Sequence, residues 1–278
     1  VVEIQKPCSD ACGSGFSHCE DGAWSACEVP EITRDCSSVC GPGTESCRGG
    51  VWQACSAPAP KPPELNVTIR DFIDTHPDFE RVSSRVFERG IVEKELGPDD
   101  KPVYAHAPCS ARGCTTSTQT TTGQSYFDEW YNDVQGVNLS TQFDLDLAPQ
   151  PAAGGPTLFS YENHAFFPID GQLFGNQGRP HNYHFTLEAR TTFTYVGGER
   201  FTFSGDDDMW VFVNRRLAID LGGLHETMTQ SIDLDEASVT YGLELGGTYP
   251  IHFFFAERHT IESNFSIHTT IAEAGSCD

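Results

Sequence analysis

The sequence predicts an all-β protein: a large β-sandwich carrying one short helix, preceded by a small region stapled by disulfides. Three observations carry that prediction. Apolar and polar residues alternate with period two, as in Phe185, Leu187, Phe193 and Tyr195 and again in Phe201 and Phe203. Gly-Gly pairs at 197–198, 222–223 and 246–247 supply turns at the spacing such strands need. Eight of the eleven cysteines fall within the first 55 residues, the density of a small domain without an apolar core of its own.

Those eight cysteines form two sets. Cys8, Cys12, Cys19 and Cys27 precede Cys36, Cys40, Cys47 and Cys55 by a constant 28 residues. Gly13, Gly15, Gly22 and Trp24 fall at the same offset on Gly41, Gly43, Gly50 and Trp52. The unit C-x3-C-G-x-G-x3-C-x2-G-x-W-x2-C thus occurs twice, over 8–27 and 36–55, in a region running 1–56. Each Trp is expected to cover its disulfides as a miniature core. Zinc is the rival reading, but the three-residue cysteine spacing is not the usual two-residue knuckle and only His18 lies nearby. Within each set of four, three connectivities stay open. Cys109 and Cys114, five apart, suggest a local bridge, and Cys277 is left unpaired, joined to a partner chain or linked back to another cysteine. The unit resembles cysteine-rich repeats of secreted bacterial proteins.

Charge excludes some partners. Lys+Arg 17 against Asp+Glu 40 gives a net charge of −23, a field that repels phosphate backbones and anionic lipid surfaces. No nucleic-acid partner is therefore expected. The chain holds no run of eighteen apolar residues, so no membrane insertion is expected either. It opens Val-Val-Glu-Ile-Gln-Lys without an initiator Met, as expected of a mature secreted chain. With the disulfides, this predicts an extracellular or cell-surface location, a bacterial surface included.

Ala57-Pro58-Ala59-Pro60-Lys61-Pro62-Pro63 reads as a semi-rigid linker over 57–63, followed by the sandwich over 64–272 and a tail, 273–278, with Cys277. A helix is predicted over Ser125–Gln135, where Phe127, Trp130, Tyr131 and Val134 recur at helical spacing. Gly205-Asp206-Asp207-Asp208 lies between two predicted strands, Phe201–Ser204 and Met209–Asn214. Three adjacent carboxylates repel one another, so a cation is expected there, and clustered hard oxygens suit calcium. A solvated acidic turn is the plainer alternative.

Residues 182–271 resemble the fibro-slime domain, a branch of the superfamily named for the PA-14 fragment of anthrax protective antigen. The resemblance rests on Phe-Thr-Phe-Ser-Gly-Asp-Asp-Asp-Met-Trp-Val-Phe-Val-Asn at 201–214, Leu-Ala-Ile-Asp-Leu-Gly-Gly-Leu-His at 217–225, and Phe-Phe-Ala-Glu-Arg-His-Thr with Ser-Asn-Phe at 254–265. Weaker matches extend it back to about residue 66. It implies a PA-14-like β-sandwich of the kind found in adhesins, glycosidases and toxins. In sugar-binding relatives two consecutive aspartates joined by a cis peptide hold calcium, which bridges vicinal sugar hydroxyls. The matching pair here is Asp206-Asp207, with Asn264 as the candidate for a completing ligand. Asp208 departs from the commoner Asp-Asp-Gly pattern, and is either an added ligand or an inward group bonding backbone amides.

His225 and His259 are candidate ligand-binding residues beside the matched motifs, although a hydrogen-bonded structural histidine is the plainer reading of each. Asp220 and Glu257-Arg258 read as a salt-bridge and turn set, and Trp210 as core. No Gly-x-Ser-x-Gly, no His-Glu-x-x-His and no phosphate loop occurs, so no enzyme and no catalytic residue is predicted. The expected function is calcium-dependent adhesion to a cell-surface or matrix polysaccharide. The alternative is a structural subunit of an extracellular filament, a homopolymer or mixed assembly in which Val1–Gln5 adds as a strand to a neighbour and Cys277 or the repeats lock subunits.

Overall fold

The computed structural model describes residues 4–20, 22–38, 40–82, 84–106, 116–150 and 156–273. Cys109, Cys114, Cys277 and Val1–Glu3, with the bridge and strand addition expected of them, lie outside these residues. Two compact units are resolved, one of residues 1–61 with 149–158 and 275–278, the other of 62–148 with 159–274.

In the first unit the two repeats fold alike. Strands β1 (Gln5–Asp10), β2 (Gly13–Glu20) and β3 (Ala23–Trp24) form one antiparallel sheet; β4 (Ile32–Ser38), β5 (Gly41–Arg48) and β6 (Val51–Trp52) form another. Cys8 faces Gly15 across the first hairpin and Cys36 faces Gly43 across the second. Only glycine fits at either position. A Cβ on Gly15 would lie 2.1 Å from the Glu28 carbonyl oxygen, and one on Gly43 would lie 2.1 Å from the Ala57 nitrogen.

The disulfides correct two sequence expectations. Cys8–Cys27 and Cys36–Cys55 close each repeat, but Cys12–Cys47 joins one repeat to the other, so pairing is not confined to each set of four. Cys19 keeps a free thiol. Nor do the tryptophans form the core. Trp24 is 44% exposed, with the Lys6 ammonium 4.4 Å above its ring, while Arg34 sits 3.9 Å above Trp52. Both rings lie on the short third strand of their sheet, where a cation covers them.

The second unit holds the sandwich, apart from residues 149, 150 and 158 of its strands, which group with the first unit. Its strands are β7 (Leu65–Phe72), β8 (Val86–Phe87), β9 (Asn138–Leu145), β10 (Ala148–Gln150), β11 (Leu158–Asn163), β12 (Phe185–Thr194), β13 (Arg200–Gly205), β14 (Asp208–Val213), β15 (Arg216–Leu221), β16 (Gly223–Leu224), β17 (Met228–Asp233), β18 (Thr248–Glu257) and β19 (Phe265–Thr269). One sheet runs β15-β14-β18-β12-β7-β9, the other β10-β11-β19-β13-β17, and β16 pairs with β8. The main core includes Met209, Val211, Leu187, Phe253 and Phe255 from the six-stranded sheet, against Phe159, Phe201, Phe203, Phe265 and Ile267 from the other.

Every residue of β14 is buried. Period-two geometry explains why: Met209, Val211 and Val213 enter the main core, while Trp210 and Phe212 point the opposite way into a second cluster with Phe254, Ile91, Tyr104, Phe127 and Trp130. The segment before β9 therefore covers the outer face of the six-stranded sheet. Within it the predicted helix shrinks to α1 (Gln124–Phe127). Beyond Phe127 the bonds tighten to three-residue turns, as from Trp130 N–H to the Phe127 carbonyl, and the Asn138 amide takes the Glu129 and Asn132 carbonyls that a longer helix would have used. A second helix, α2 (Leu234–Tyr241), starts at the Asp233 side chain, which accepts from Asp235 and Glu236 N–H, and ends at Gly242.

Candidate functional site

The acidic triplet is the corner at which the chain leaves one sheet for the other. Gly205 ends β13, Asp206 and Asp207 make the crossing, and Asp208 begins β14. A side chain at Gly205 would strike the Asn264 carbonyl at 2.5 Å and the Phe203 ring, which is why a glycine leads the aspartates. The corner is anchored to the start of β19: the Asp206 N–H donates to the Asn264 carbonyl, and the Asp206 carboxylate accepts from both the Asn264 backbone N–H and its side-chain amide. Asn264 is thus brought to Asp206 by hydrogen bonding. The Asp206-Asp207 peptide is trans, unlike the cis linkage implied by resemblance, and Asp207 takes a left-handed φ of 55° that its short polar side chain tolerates.

The three carboxylates have different fates. Asp208 points inward: one oxygen accepts from the Gly223 N–H at 2.6 Å, the other from Arg258 Nε at 2.6 Å, and neither side chain is exposed. Both oxygens are engaged within the protein, the second of the two arrangements open to it from sequence. Arg258 also donates to the Asp78 and Thr120 carbonyls and lies 4.6 Å over the Trp130 ring. Asp207 accepts only the Arg258 backbone N–H, at 2.9 Å, among the hydrogen bonds of the described residues. Burial pushes its carboxyl up to about 8, against the pull of Arg258, with Asp208 and Asp206 adding to the shift.

Glu257 is a fourth carboxylate. It ends β18 beside Arg258, is 1% exposed, and its Oε2 is buried with no hydrogen-bond partner. Burial first, then Asp207 and Asp206, hold it well above the ordinary range of a glutamate. Asp206, Asp207 and Glu257 therefore crowd three carboxyl groups beside a buried guanidinium that already bridges to Asp208. Sequence reading grouped Asp220 with Glu257-Arg258 as a salt-bridge and turn set; the bridge instead joins Arg258 to Asp208, while Asp220 accepts from the Trp210 indole and the Gly90 N–H.

Asp206 and Asp207 line a cleft of about 40 Å³ together with Ser84, Arg85, Leu224, His225, His259, Ile261 and Glu262. His225 donates Nδ1–H to the Glu226 carbonyl at 2.8 Å, and His259 Nε2 lies 3.9 Å from Glu80. Both line the cleft and both have protein partners. Among the described residues no three His, Cys, Asp or Glu side chains are grouped to hold a metal by themselves. The donors that fit a hard cation are the Asp206 and Asp207 carboxylates and the Asn264 amide oxygen, with the orphaned Glu257 oxygen behind them; this set lacks a closed cage.

Comparison with known proteins bears on the chain as a whole. The PA14 domain profile matches residues 136–277, without singling out the fibro-slime branch. Protein psiR of Dictyostelium discoideum is 38% identical over 235 residues, which is 77% of this chain and 22% of psiR. Protein psiQ of the same organism is 39% identical over 207 residues, covering 70% of this chain and 20% of psiQ. The chain thus spans about a fifth of the length of these relatives. Among solved structures, the PA14 domain of the MpAFP antifreeze protein aligns with a TM-score of 0.28 at 11% identity, over 45% of this chain and 78% of that one.

Proposed function

The chain belongs to the PA14 domain family, and on that premise we propose that it is a non-catalytic adhesion module that binds carbohydrate through calcium held at Asp206 and Asp207. The supporting observation is the crowding of carboxyl groups at the corner. Asp206, Asp207 and Glu257 are buried together, the neighbouring Arg258 bridges to Asp208, and the aspartates open into a cleft that Arg85 also lines. Carboxylates so placed must either stay protonated or face a cation from outside.

Asp206, Asp207 and Asn264 are the residues that would hold the ion. Calcium there would supply a Lewis-acidic centre able to take vicinal sugar hydroxyls, which bind weakly by hydrogen bonding alone because water competes for them. Around it the protein's own part is positional. Arg258 and Asp208 fix the base of the corner, Asn264 ties Asp206 to β19, and Leu224 with Ile261 gives the cleft an apolar border. The disulfides of the repeats suit work outside the cell, and no described helix is long and apolar enough to cross a membrane.

Calorimetric titration with calcium chloride, followed by a glycan array with and without EDTA, tests the proposal. Calcium binding that falls at least tenfold in Asp207→Asn, and array binding lost both to EDTA and to Asp206→Ala, is expected. Array binding indifferent to chelator and to both substitutions would overturn it, provided the variants keep the parent's unfolding midpoint.

A further inference from the structure

One bridge joins the two repeats among the described residues, and it leaves the third cysteine of the earlier unit as a thiol. Within each repeat the first cysteine joins the fourth, Cys8 to Cys27 and Cys36 to Cys55, each across 19 residues. Between repeats the second cysteine of the earlier unit, Cys12, joins the third cysteine of the later unit, Cys47. The third cysteine of the earlier unit is Cys19. It is a free thiol, and it cannot take the second cysteine of its neighbour, because Cys40 is itself disulfide-bonded.

Cys19 and Cys47 are equivalent in space as well as in sequence. Each lies directly across its hairpin from the repeat's tryptophan, Cys19 from Trp24 and Cys47 from Trp52. In each repeat a cation covers that tryptophan, and the N–H of the second cysteine is capped by the side chain two residues earlier: Cys12 by Asp10 at 2.7 Å, Cys40 by Ser38 at 3.0 Å. What differs is occupancy. Cys47 carries the sulfur of the other repeat and is 0% exposed, while its counterpart Cys19 is only half-buried.

From this we infer that Cys19 is a docking thiol for the second cysteine of a further C-x3-C-G-x-G repeat set ahead of the first. The two repeats would then be successive links of a ladder, with a first-to-fourth bridge inside each link and a second-to-third bridge to the next. The equivalent bond at Cys47 is the independent observation that identifies the partner. Formation of the bond removes one proton and one electron from each thiol. A small-molecule disulfide such as oxidised glutathione accepts them and leaves as two thiols, in two successive exchanges.

The test lengthens the whole chain by one link, with a second copy of residues 1–28 placed ahead of Val1 and the protein oxidised with a glutathione couple. Free thiols are alkylated under denaturing conditions and the bridges mapped by mass spectrometry without reduction. In the parent, Cys19 should be labelled almost completely. In the lengthened chain its labelling should fall at least tenfold, a peptide should join Cys19 to the second cysteine of the added link, and the third cysteine of that link should become the labelled one. Cys12→Ser in the added copy alone should restore labelling of Cys19. Full labelling of Cys19 in the lengthened chain, or its pairing with any other cysteine, overturns the inference, and so does loss of the Cys12–Cys47 peptide on lengthening.

Discussion

In the repeats, the only apolar-class side chains buried among the described residues are the two halves of the Cys12–Cys47 bridge; in the sandwich, Phe159, Phe185, Phe201, Phe203, Phe255 and Phe265 are all at most 1% exposed. The hairpins of the repeats thus expose most of their surface and are held by covalent closure, which acts largely by restricting the unfolded chain. The sandwich instead excludes water from two stacked clusters and must satisfy every polar group caught between them. One region is sensitive to reductant. The other is sensitive to a missing counter-ion, a lost ring or a change of pH.

The sharpest way to break this contrast is at Arg258. Arg258→Ala leaves Asp208 buried without its partner and is expected to destabilise the sandwich by about 3–5 kcal/mol, read from urea unfolding followed by tryptophan fluorescence. The double change Asp208→Asn with Arg258→Met should recover most of that loss, since it removes both charges together. Equal loss in the two variants would show that the pair is not what supports the corner.

Next in size is the inter-repeat bridge. Replacing Cys12 and Cys47 together by serine is expected to cost about 2–4 kcal/mol, confined to residues 5–52. Hydrogen exchange would then show deprotected amides in β1 to β6 and unchanged protection in β12, β14 and β18. Deprotection of the sandwich strands would contradict the separation.

A smaller effect separates the regions by pH. Burial, with Arg190 and Arg215 adding and Glu188 opposing, pushes His252 down to about 4. An unfolded histidine takes its proton near 6.5. The stabilisation is therefore full above that value and is lost as the pH falls towards about 4. Asp71, pushed up to about 6 by burial, runs the other way: its folded form keeps a proton that the unfolded carboxyl loses from 3.8 upward, so stability falls as the pH rises through that window. In His252→Gln the acid-side loss should shrink and the opposite slope of Asp71 emerge. Stability curves of parent and variant that stay parallel from pH 8 to pH 4.5 would refute this. The smallest expected effect is at Lys6→Ala, where losing the cation over the exposed Trp24 should cost about 0.5–1 kcal/mol or less in the first repeat.

Much of this could be read from the chain itself. The two-residue alternation at Phe185–Tyr195 and Phe201–Phe203 identified strands, and the constant cysteine offset identified a tandem repeat, because both patterns arise between neighbours a few residues apart. The corner at Gly205–Asp208 was also visible, since three consecutive carboxylates are a local anomaly in any setting. Other features were beyond sequence reading. Helical spacing at Ser125–Gln135 reported which side chains are buried, but the backbone there follows Asn138 and the outer sheet face rather than its own period.

What the sequence determined alone is the class of fold, the existence of the repeats and the place where charge collects, all set by composition and short-range order. The tertiary structure alone decided the partners: Arg258 for Asp208 across fifty residues of chain, Glu257 with one carboxylate oxygen unpartnered, Cys47 for Cys12, and Cys19 left open. The reason is physical. A side chain's periodicity is fixed by its own strand, whereas the group that neutralises or bonds it arrives by topology, and many candidates equally distant in sequence compete for that position until the sheets are assembled.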